Sequence, residues 1–133
     1  MKRSIENLWV ELVGNSIVAR IRGVPTEALI RECQERIVAL VKDTSCSRIL
    51  YDALELENPS ADVALTQQSL TALMAPSTRI AILVSNTKVA YFSRLAFGEA
   101  NYRVFYNDMA GATAWLNESG AAASVTPFES KTA

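Results

Sequence analysis

Three short apolar runs constrain the fold of this chain more than any other feature of its sequence. They are Arg48–Asp52, Arg79–Val84 and Tyr102–Tyr106. Each is about as long as one strand, and the stretches between them have the periodicity of helices. Strands that are apolar on both sides and alternate with helices are typical of a parallel sheet buried on both faces. The sequence therefore predicts an α/β fold with these three strands adjacent and parallel at its centre.

A β-hairpin is predicted before the first of these runs. Leu8–Val13 and Ile17–Arg22 are rich in branched side chains, and Gly14-Asn15 between them tolerates the positive φ of a tight turn. In the second of these strands three apolar residues alternate with two arginines. One side of the hairpin therefore meets water, which suits the edge of a sheet.

Helices are predicted where apolar residues recur every three or four positions and capping residues precede them. Four result, over Glu27–Lys42, from a cap at Ser60 or Asp62 to Ala75, over Lys88–Glu99, and over Met109–Asn117 after a cap at Asp108. The expected architecture is a five-stranded, mostly parallel sheet with an N-terminal antiparallel hairpin at its edge and four helices.

The length of 133 residues suits one domain. We assign residues 1–118 to that domain and expect residues 119–133, which are small and polar around Gly120 and Pro127, to be a flexible tail. The N-terminus lacks a secretory signal and no run of about 18 apolar residues occurs. A cytoplasmic protein without a transmembrane segment is expected.

Composition and residue types exclude several classes of function. Thirteen basic and fourteen acidic residues give a net charge of -1, so no attraction to nucleic acid is expected. The chain has no histidine, and it shows no metal-ligand cluster and no glycine-rich phosphate loop. We therefore predict no catalytic residues, no metal and no cofactor. Cys33 is placed in a helical core series and Cys46 in a loop, both as reduced thiols.

Four segments taken in order resemble the SpoIIAA-like family of STAS-type domains, over roughly residues 5 to 118. They are Ile49–Asp52, Arg79–Val84, Arg103–Asp108 and Ala110–Leu116. The resemblance implies a superhelical α/β fold shared with anti-sigma-factor antagonists and with Sec14-type lipid-binding domains. It also implies a function in regulation or carriage rather than in catalysis.

The antagonists of that family carry a phosphorylatable serine in an Asp-Ser-Ser-Gly type sequence at the start of the helix that follows the third strand. The corresponding stretch here begins Asp52-Ala-Leu-Glu55 and has no such serine. Ser60 is the nearest substitute, but Glu55, Glu57 and Asp62 surround it and would repel a phosphate. Its alternative role is that of a helix cap.

Two further places qualify as binding sites. Asp52 ends a buried strand at the edge where open α/β sheets bind ligands, although it can equally serve as a loop or cap acceptor. Ser85, Asn86, Thr87 and Lys88 form a strand-to-helix turn where free N–H groups and one ammonium can hold an anion. Capping of the helix explains the first three of these without a ligand.

The third helix carries more apolar side chains than one face can bury. Val89, Phe92 and Ala96 are assigned to the core. That leaves Tyr91, Leu95 and Phe97 as an apolar surface for a protein partner, a second copy of the chain or an apolar ligand.

The connections between the strands point to a covering partner as well. Right-handed crossovers put their helices on one side of the sheet, so the other side needs a homodimer or a lipid-like molecule to cover it. Trp115 is expected in the core, where its replacement by alanine would cost about 3–5 kcal/mol.

The function that these features favour is a non-enzymatic, STAS-like regulatory or protein-interaction domain. The alternative is a carrier or sensor that holds a small apolar or anionic ligand between the helices and the sheet, as in Sec14-type proteins. A small hydrolase or transferase with Asp52 or Asp108 as the base is the third reading, and it lacks the cluster of groups that acid–base catalysis uses.

Overall fold

The computed structural model describes residues 7–118. The predicted tail and the first six residues of the predicted domain lie outside this range. The elements in chain order are β1 (Leu8–Val13), β2 (Ser16–Ile21), α1 (Glu27–Thr44), β3 (Arg48–Asp52), α2 (Ala61–Thr71), β4 (Arg79–Val84), α3 (Thr87–Phe97), β5 (Tyr102–Tyr106) and α4 (Met109–Leu116).

The strands form one sheet in the order β1-β2-β3-β4-β5. β1 and β2 are antiparallel, joined by a turn in which Gly14 adopts a φ of 61°, and every other neighbouring pair is parallel. The register places Tyr51 beside Ile82 and Ile82 beside Val104. The predicted architecture, with the hairpin at the edge and three adjacent parallel strands, is confirmed.

Each helix begins at a capping side chain that accepts a hydrogen bond from a backbone N–H three residues on. The caps are Thr26, Ser60, Asn86 and Asp108, at 3.1, 3.3, 2.9 and 2.9 Å from the nitrogens of Leu29, Val63, Val89 and Gly111. Helix α2 ends at Thr71, earlier than predicted. The chain from there to Met74 tightens into turns with bonds to carbonyls three residues back, a common way for a helix to finish.

The main core lies between the sheet and helices α1, α2 and α3. Ile17, Ile49, Ile80 and Ile82 point into it from the strands and are at most 1% exposed. The predicted core residues of α3, which are Val89, Phe92 and Ala96, are also buried there. These three helices connect parallel strands, and their location on one side of the sheet agrees with the right-handed crossover rule.

The opposite face of the sheet is not left open, as the crossover argument had led us to expect. Helix α4 packs on β3, β4 and β5 and buries a second, smaller core. Its buried members are Leu50, Ala81, Leu83, Ala112 and Leu116. The expectation was wrong because α4 follows the last strand, so no parallel crossover fixes the side on which it lies. Among residues 7–118, nothing covers this face over β1, where Val13 is 50% exposed.

Trp115 lies at the rim of the second core and is only partly buried, which corrects its assignment to the interior. Its ring centroid is 6.0 Å from that of Phe105, and the Arg79 guanidinium lies 5.0 Å from the Trp115 ring centroid. Arg79 donates to the Trp115 carbonyl at 2.7 Å, and Arg48 donates to the Leu116 carbonyl at 2.8 Å. Two strand arginines therefore hold the last carbonyls of α4, where cations also complement the helix dipole.

Candidate functional site

The carboxyl ends of the parallel strands meet at one edge of the sheet, and Asp52 ends β3 there. Its side chain is buried and fully engaged. Oδ2 accepts from Arg20 Nε at 3.1 Å, and Oδ1 accepts from the Leu54 backbone N–H at 3.2 Å. Both oxygens thus have a donor within the protein. Asp52 therefore has the role of a loop acceptor, which the sequence offered as the alternative to ligand binding.

The turn from β4 into α3 lies at the same edge. Asn86 caps the helix, and its Nδ2 donates to Ser85 Oγ at 3.3 Å. Thr87 and Lys88 are exposed. With Leu56, Glu57, Asn58 and Val89, the residues from Asn86 to Lys88 line a shallow cavity of about 360 Å³.

A second cavity of about 550 Å³ adjoins the first, and the two share Leu56, Glu57 and Asn86. Its far wall carries an exposed ion pair, in which Arg22 Nε donates to Glu55 Oε1 at 2.7 Å. We call the two cavities together the edge groove. The edge groove is polar and open, with both charge signs along it.

The far wall of the edge groove was not predicted from the sequence. Glu55 and Glu57 were considered there only as neighbours of Ser60, although Gly23 pairs with Leu56 in an isolated bridge and brings their loop against the end of β2. Asn58, at a φ of 41°, completes the turn. The Asn58-Pro59 dipeptide was a local signal for such a turn.

Ser60 lies apart from the edge groove. Its hydroxyl is exposed and caps α2, accepting from the Val63 N–H. The structure therefore brings Ser85, Asn86, Thr87 and Lys88 together in one groove, and it leaves Asp52 and Ser60 outside that groove.

The predicted apolar surface of α3 is reduced to two side chains. Tyr91 is 65% and Leu95 is 42% exposed, one turn apart on the same helix. We call this pair the α3 patch. Phe97 is instead buried at 5% exposure, with its ring centroid 4.9 Å from that of Tyr51. Its assignment to the surface was wrong because the last turn of α3 packs onto the sheet.

Among the described residues, the cavity enclosed between helices α1 to α3 and the sheet is too small for a lipid-like molecule. The cavity there has a volume of about 30 Å³ and is lined by Tyr51, Gln67 and Ser93 among others, which is room for about one water. Tyr51 Oη lies 3.4 Å from Gln34 Oε1. Burial raises the pKa of Tyr51 and raises the pKa of Cys33 to about 12.

A further cavity of about 550 Å³ lies at the opposite, amino edge of the sheet. It opens between the ends of α2 and α3, and Met74, Ile80 and Phe97 contribute to its mostly apolar wall. Its size is in the range of small-molecule sites, about 300–1,000 Å³.

Residues 7–118 lack two features that would indicate a membrane span or a metal site. No helix in this range combines the length and the apolar character that crossing a bilayer requires. Within the same range, no three His, Cys, Asp or Glu side chains are grouped so that they could hold a metal ion. Cys33 and Cys46 are both free thiols.

The backbone resembles several solved structures. An anti-sigma factor antagonist from Mycobacterium paratuberculosis matches with a TM-score of 0.64 at 14% identity, covering 82% of this chain and 92% of that one. An uncharacterized protein of the DUF3478 family with a SpoIIAA-like fold, from Shewanella loihica PV-4, matches at 0.55 and 20% identity, over 82% and 91%. The unphosphorylated antagonist SpoIIAA matches at 0.54 and 16% identity, over 81% and 96%.

The chain therefore has the SpoIIAA-like fold that the sequence resemblance implied. No family model matches the sequence, and no curated protein matches it either.

Proposed function

We propose that this SpoIIAA-like domain is a non-enzymatic regulator that works by binding another protein. The observation that carries the proposal is the α3 patch, where Tyr91 and Leu95 lie exposed on a helix whose first turn lines the edge groove. An apolar centre with a polar rim is the usual composition of a protein-binding surface.

The chemistry of the patch suits a protein ligand. Tyrosine is enriched among residues that dominate binding energy, because it buries a large ring and still offers a hydroxyl. Lys88 lies three residues before Tyr91, and the Arg22–Glu55 ion pair lies further along the groove. These charges can fix the orientation of a partner.

The structural neighbours agree with a regulatory role. Two of the solved structures with this fold are antagonists of anti-sigma factors by name. At identities of 14% and 16% they show the fold and not the partner. The shared fold thus supports a class of function, which is regulation through binding to another protein.

The two carboxylates that an enzyme would use as a base have other roles here. Asp52 accepts from Arg20 and from the Leu54 N–H, and Asp108 caps α4 through the Gly111 N–H. A base must be free to take a proton from a substrate. The hydrogen bonds of these two carboxylates support the non-enzymatic assignment. A cytoplasmic location, which was inferred from the sequence, is part of the same proposal.

The test compares proteins captured from the native host by the wild-type chain and by a Tyr91→Lys/Leu95→Lys double variant. The control is Leu73→Lys, which places one lysine at a residue that is 83% exposed outside the patch. We expect one protein to bind the wild type and the control and to bind the double variant more weakly. Direct titration of this purified protein with each variant measures the affinities. Equal binding by all three would refute the assignment of the α3 patch.

The same titration tests the switch that was considered for Ser60. A phosphate there would lie at the N-terminus of α2, which favours an anion, yet Glu57 and Asp62 would oppose it. We expect Ser60→Glu to bind the partner as the wild type does. A loss of binding would assign a switch to Ser60.

A small apolar ligand is the second candidate function, and the amino-edge cavity is the observation in its favour. The cavity is about 550 Å³ in volume, and Met74 and Phe97 supply apolar wall. Native mass spectrometry of protein purified from its own cell tests it. A bound small molecule that Met74→Trp displaces would support a carrier, and a bare polypeptide mass would count against it.

A further inference from the structure

The outer edge of β1 is free in the described part of the chain. The strand is last in the sheet, and its sequence Leu-Trp-Val-Glu-Leu-Val runs over six residues. Edge strands are normally protected by proline, lysine, a bulge or an inward-pointing charge, because their open N–H and C=O groups recruit other strands. β1 contains no proline or lysine, and its one charge, Glu11, lies on the face away from the main core.

The pairing with β2 shows which groups point outward. Arg22 N donates to Asn7 O at 2.9 Å. In an antiparallel ladder the hydrogen-bonded pairs recur at every second residue, so the residues of β1 that bond to β2 are Trp9, Glu11 and Val13. The N–H and C=O groups of the alternate residues therefore point away from β2. These are Leu8, Val10 and Leu12.

We propose that two copies of this chain join through their β1 edges in an antiparallel pair, which forms one continuous sheet across a two-fold axis. The inference stands apart from the proposed function, since the α3 patch lies on another element. It also replaces the sequence-based reason for a homodimer, because α4 covers much of the sheet face that was expected to be open.

Self-complementarity of β1 selects one register. A two-fold axis at Val10 places Val10 beside its own copy and Leu8 beside Leu12 of the second copy. All three outward residues then form hydrogen-bonded pairs. Their side chains point to the face that α1 covers, where Leu8 is 1% and Leu12 is 42% exposed. Pairing would bury the exposed Leu12 against an apolar neighbour.

Charge excludes one neighbouring register, and the length of β1 excludes the other. With the axis at Val10, Glu11 lies opposite Trp9 of the second copy. The Arg20 guanidinium lies 5.7 Å from the Trp9 ring centroid, so this register places Glu11 on the side of a cation. Moving the axis to Glu11 would place the two Glu11 carboxylates directly opposite each other, which is destabilising. Moving it to Trp9 would carry Leu12 past the start of the other β1 strand and leave its groups unpaired.

The first test measures mass against concentration by sedimentation equilibrium for the wild type, Leu12→Lys and Leu95→Lys. We expect a wild-type dimer that Leu95→Lys preserves. Leu12→Lys should raise the dissociation constant by about tenfold or more, because the charge enters the two-fold interface twice. A monomeric wild type, or a dimer that only Leu95→Lys disrupts, would overturn the proposal.

The second test fixes the register by cross-linking in a Cys46→Ser background. Facing residues of a hydrogen-bonded antiparallel pair have Cα atoms about 5.5 Å apart, within the range that a disulfide spans. Val10→Cys should therefore give a covalent dimer on oxidation. Leu12→Cys is the matched control, because four residues along the ladder separate it from its copy by about 14 Å.

The remaining native thiol should not interfere, because Cys33 is buried and burial raises its pKa to about 12. Thermal unfolding of each variant verifies that it is folded. Cross-linking of Val10→Cys alone supports the β1 pair with this axis. No cross-linking, or equal cross-linking of both cysteine variants, refutes it.

Discussion

Replacing Arg79 by methionine is expected to lower the free energy of unfolding by about 2 kcal/mol. Arg79 Nη1 donates to the Trp115 carbonyl at 2.7 Å and the guanidinium lies 5.0 Å from the Trp115 ring centroid. A hydrogen bond from a charged donor contributes about 1.5–3 kcal/mol, and the lower end applies because water can reach a helix end. The ring contact adds about 0.5 kcal/mol. Methionine keeps the apolar stem, so the polar contacts are isolated.

Urea denaturation followed by far-ultraviolet circular dichroism measures the change. With a slope of about 1–3 kcal/mol per molar for a small protein, the midpoint should fall by about 1 M. Arg103→Met is the matched control, because the Arg103 guanidinium lies 5.6 Å from the ring centroid of Phe105, which is on the same strand, β5. We expect this substitution to lower the free energy of unfolding by only about 0.5 kcal/mol. Equal and small effects of both substitutions would show that Arg79 does not hold α4 on the sheet.

Three further predictions concern buried and capping groups. Asp52→Ala should cost about 2 kcal/mol in urea denaturation, and Asp52→Asn clearly less, because asparagine still accepts from the Leu54 N–H; equal losses would contradict this. Gly111→Ala should not give the usual gain of about 1 kcal/mol, because the new Cβ would overlap the Asp108 carboxylate. In an Asp108→Ala background, Gly111→Ala should again raise the free energy of unfolding. If the effects of the two substitutions on that free energy simply add, the predicted overlap is contradicted. Because burial raises the pKa of Cys33 from 9.0 to about 12, stability should fall between these pH values, by up to about 1.4 kcal/mol per pH unit. Cys33→Ala should flatten the decline in urea midpoints, and an unchanged slope would count against it.

The local signals in the sequence were sufficient for the secondary structure. Strands β3, β4 and β5 coincide with the three apolar runs, because strands buried on both sides need uninterrupted apolar residues. In the described part of the chain, helices α1 to α4 each start after a side chain that accepts a hydrogen bond from the backbone N–H three residues on. Capping depends only on neighbours in sequence, so it can be recognised without the fold.

The candidate site was predicted only in part. The Ser85–Lys88 turn was identified because strand ends and helix starts are visible in the sequence. The opposing wall around Glu57 was not, because it depends on a loop that folds back against Gly23. The predictions for Phe97 and Trp115 were wrong for a similar reason. Phe97 was expected at the surface and is buried, and Trp115 was expected in the core and is only partly buried. Helical periodicity gives the angle of a side chain about its helix, and it does not give the surface that the helix meets.

The amino-acid sequence by itself determined the order and type of the elements and the parallel centre of the sheet, since each follows from short-range patterns of apolar and capping residues. The SpoIIAA-like arrangement was implied by the resemblance of four sequence segments to that family. Only the tertiary structure decided that α4 covers the second face, that Asp52 is bound by Arg20, and that Tyr91 and Leu95 remain exposed. These outcomes depend on contacts between residues far apart in the chain. The side on which a terminal helix packs is set by which free sheet face it can cover, and no pattern within that helix records it.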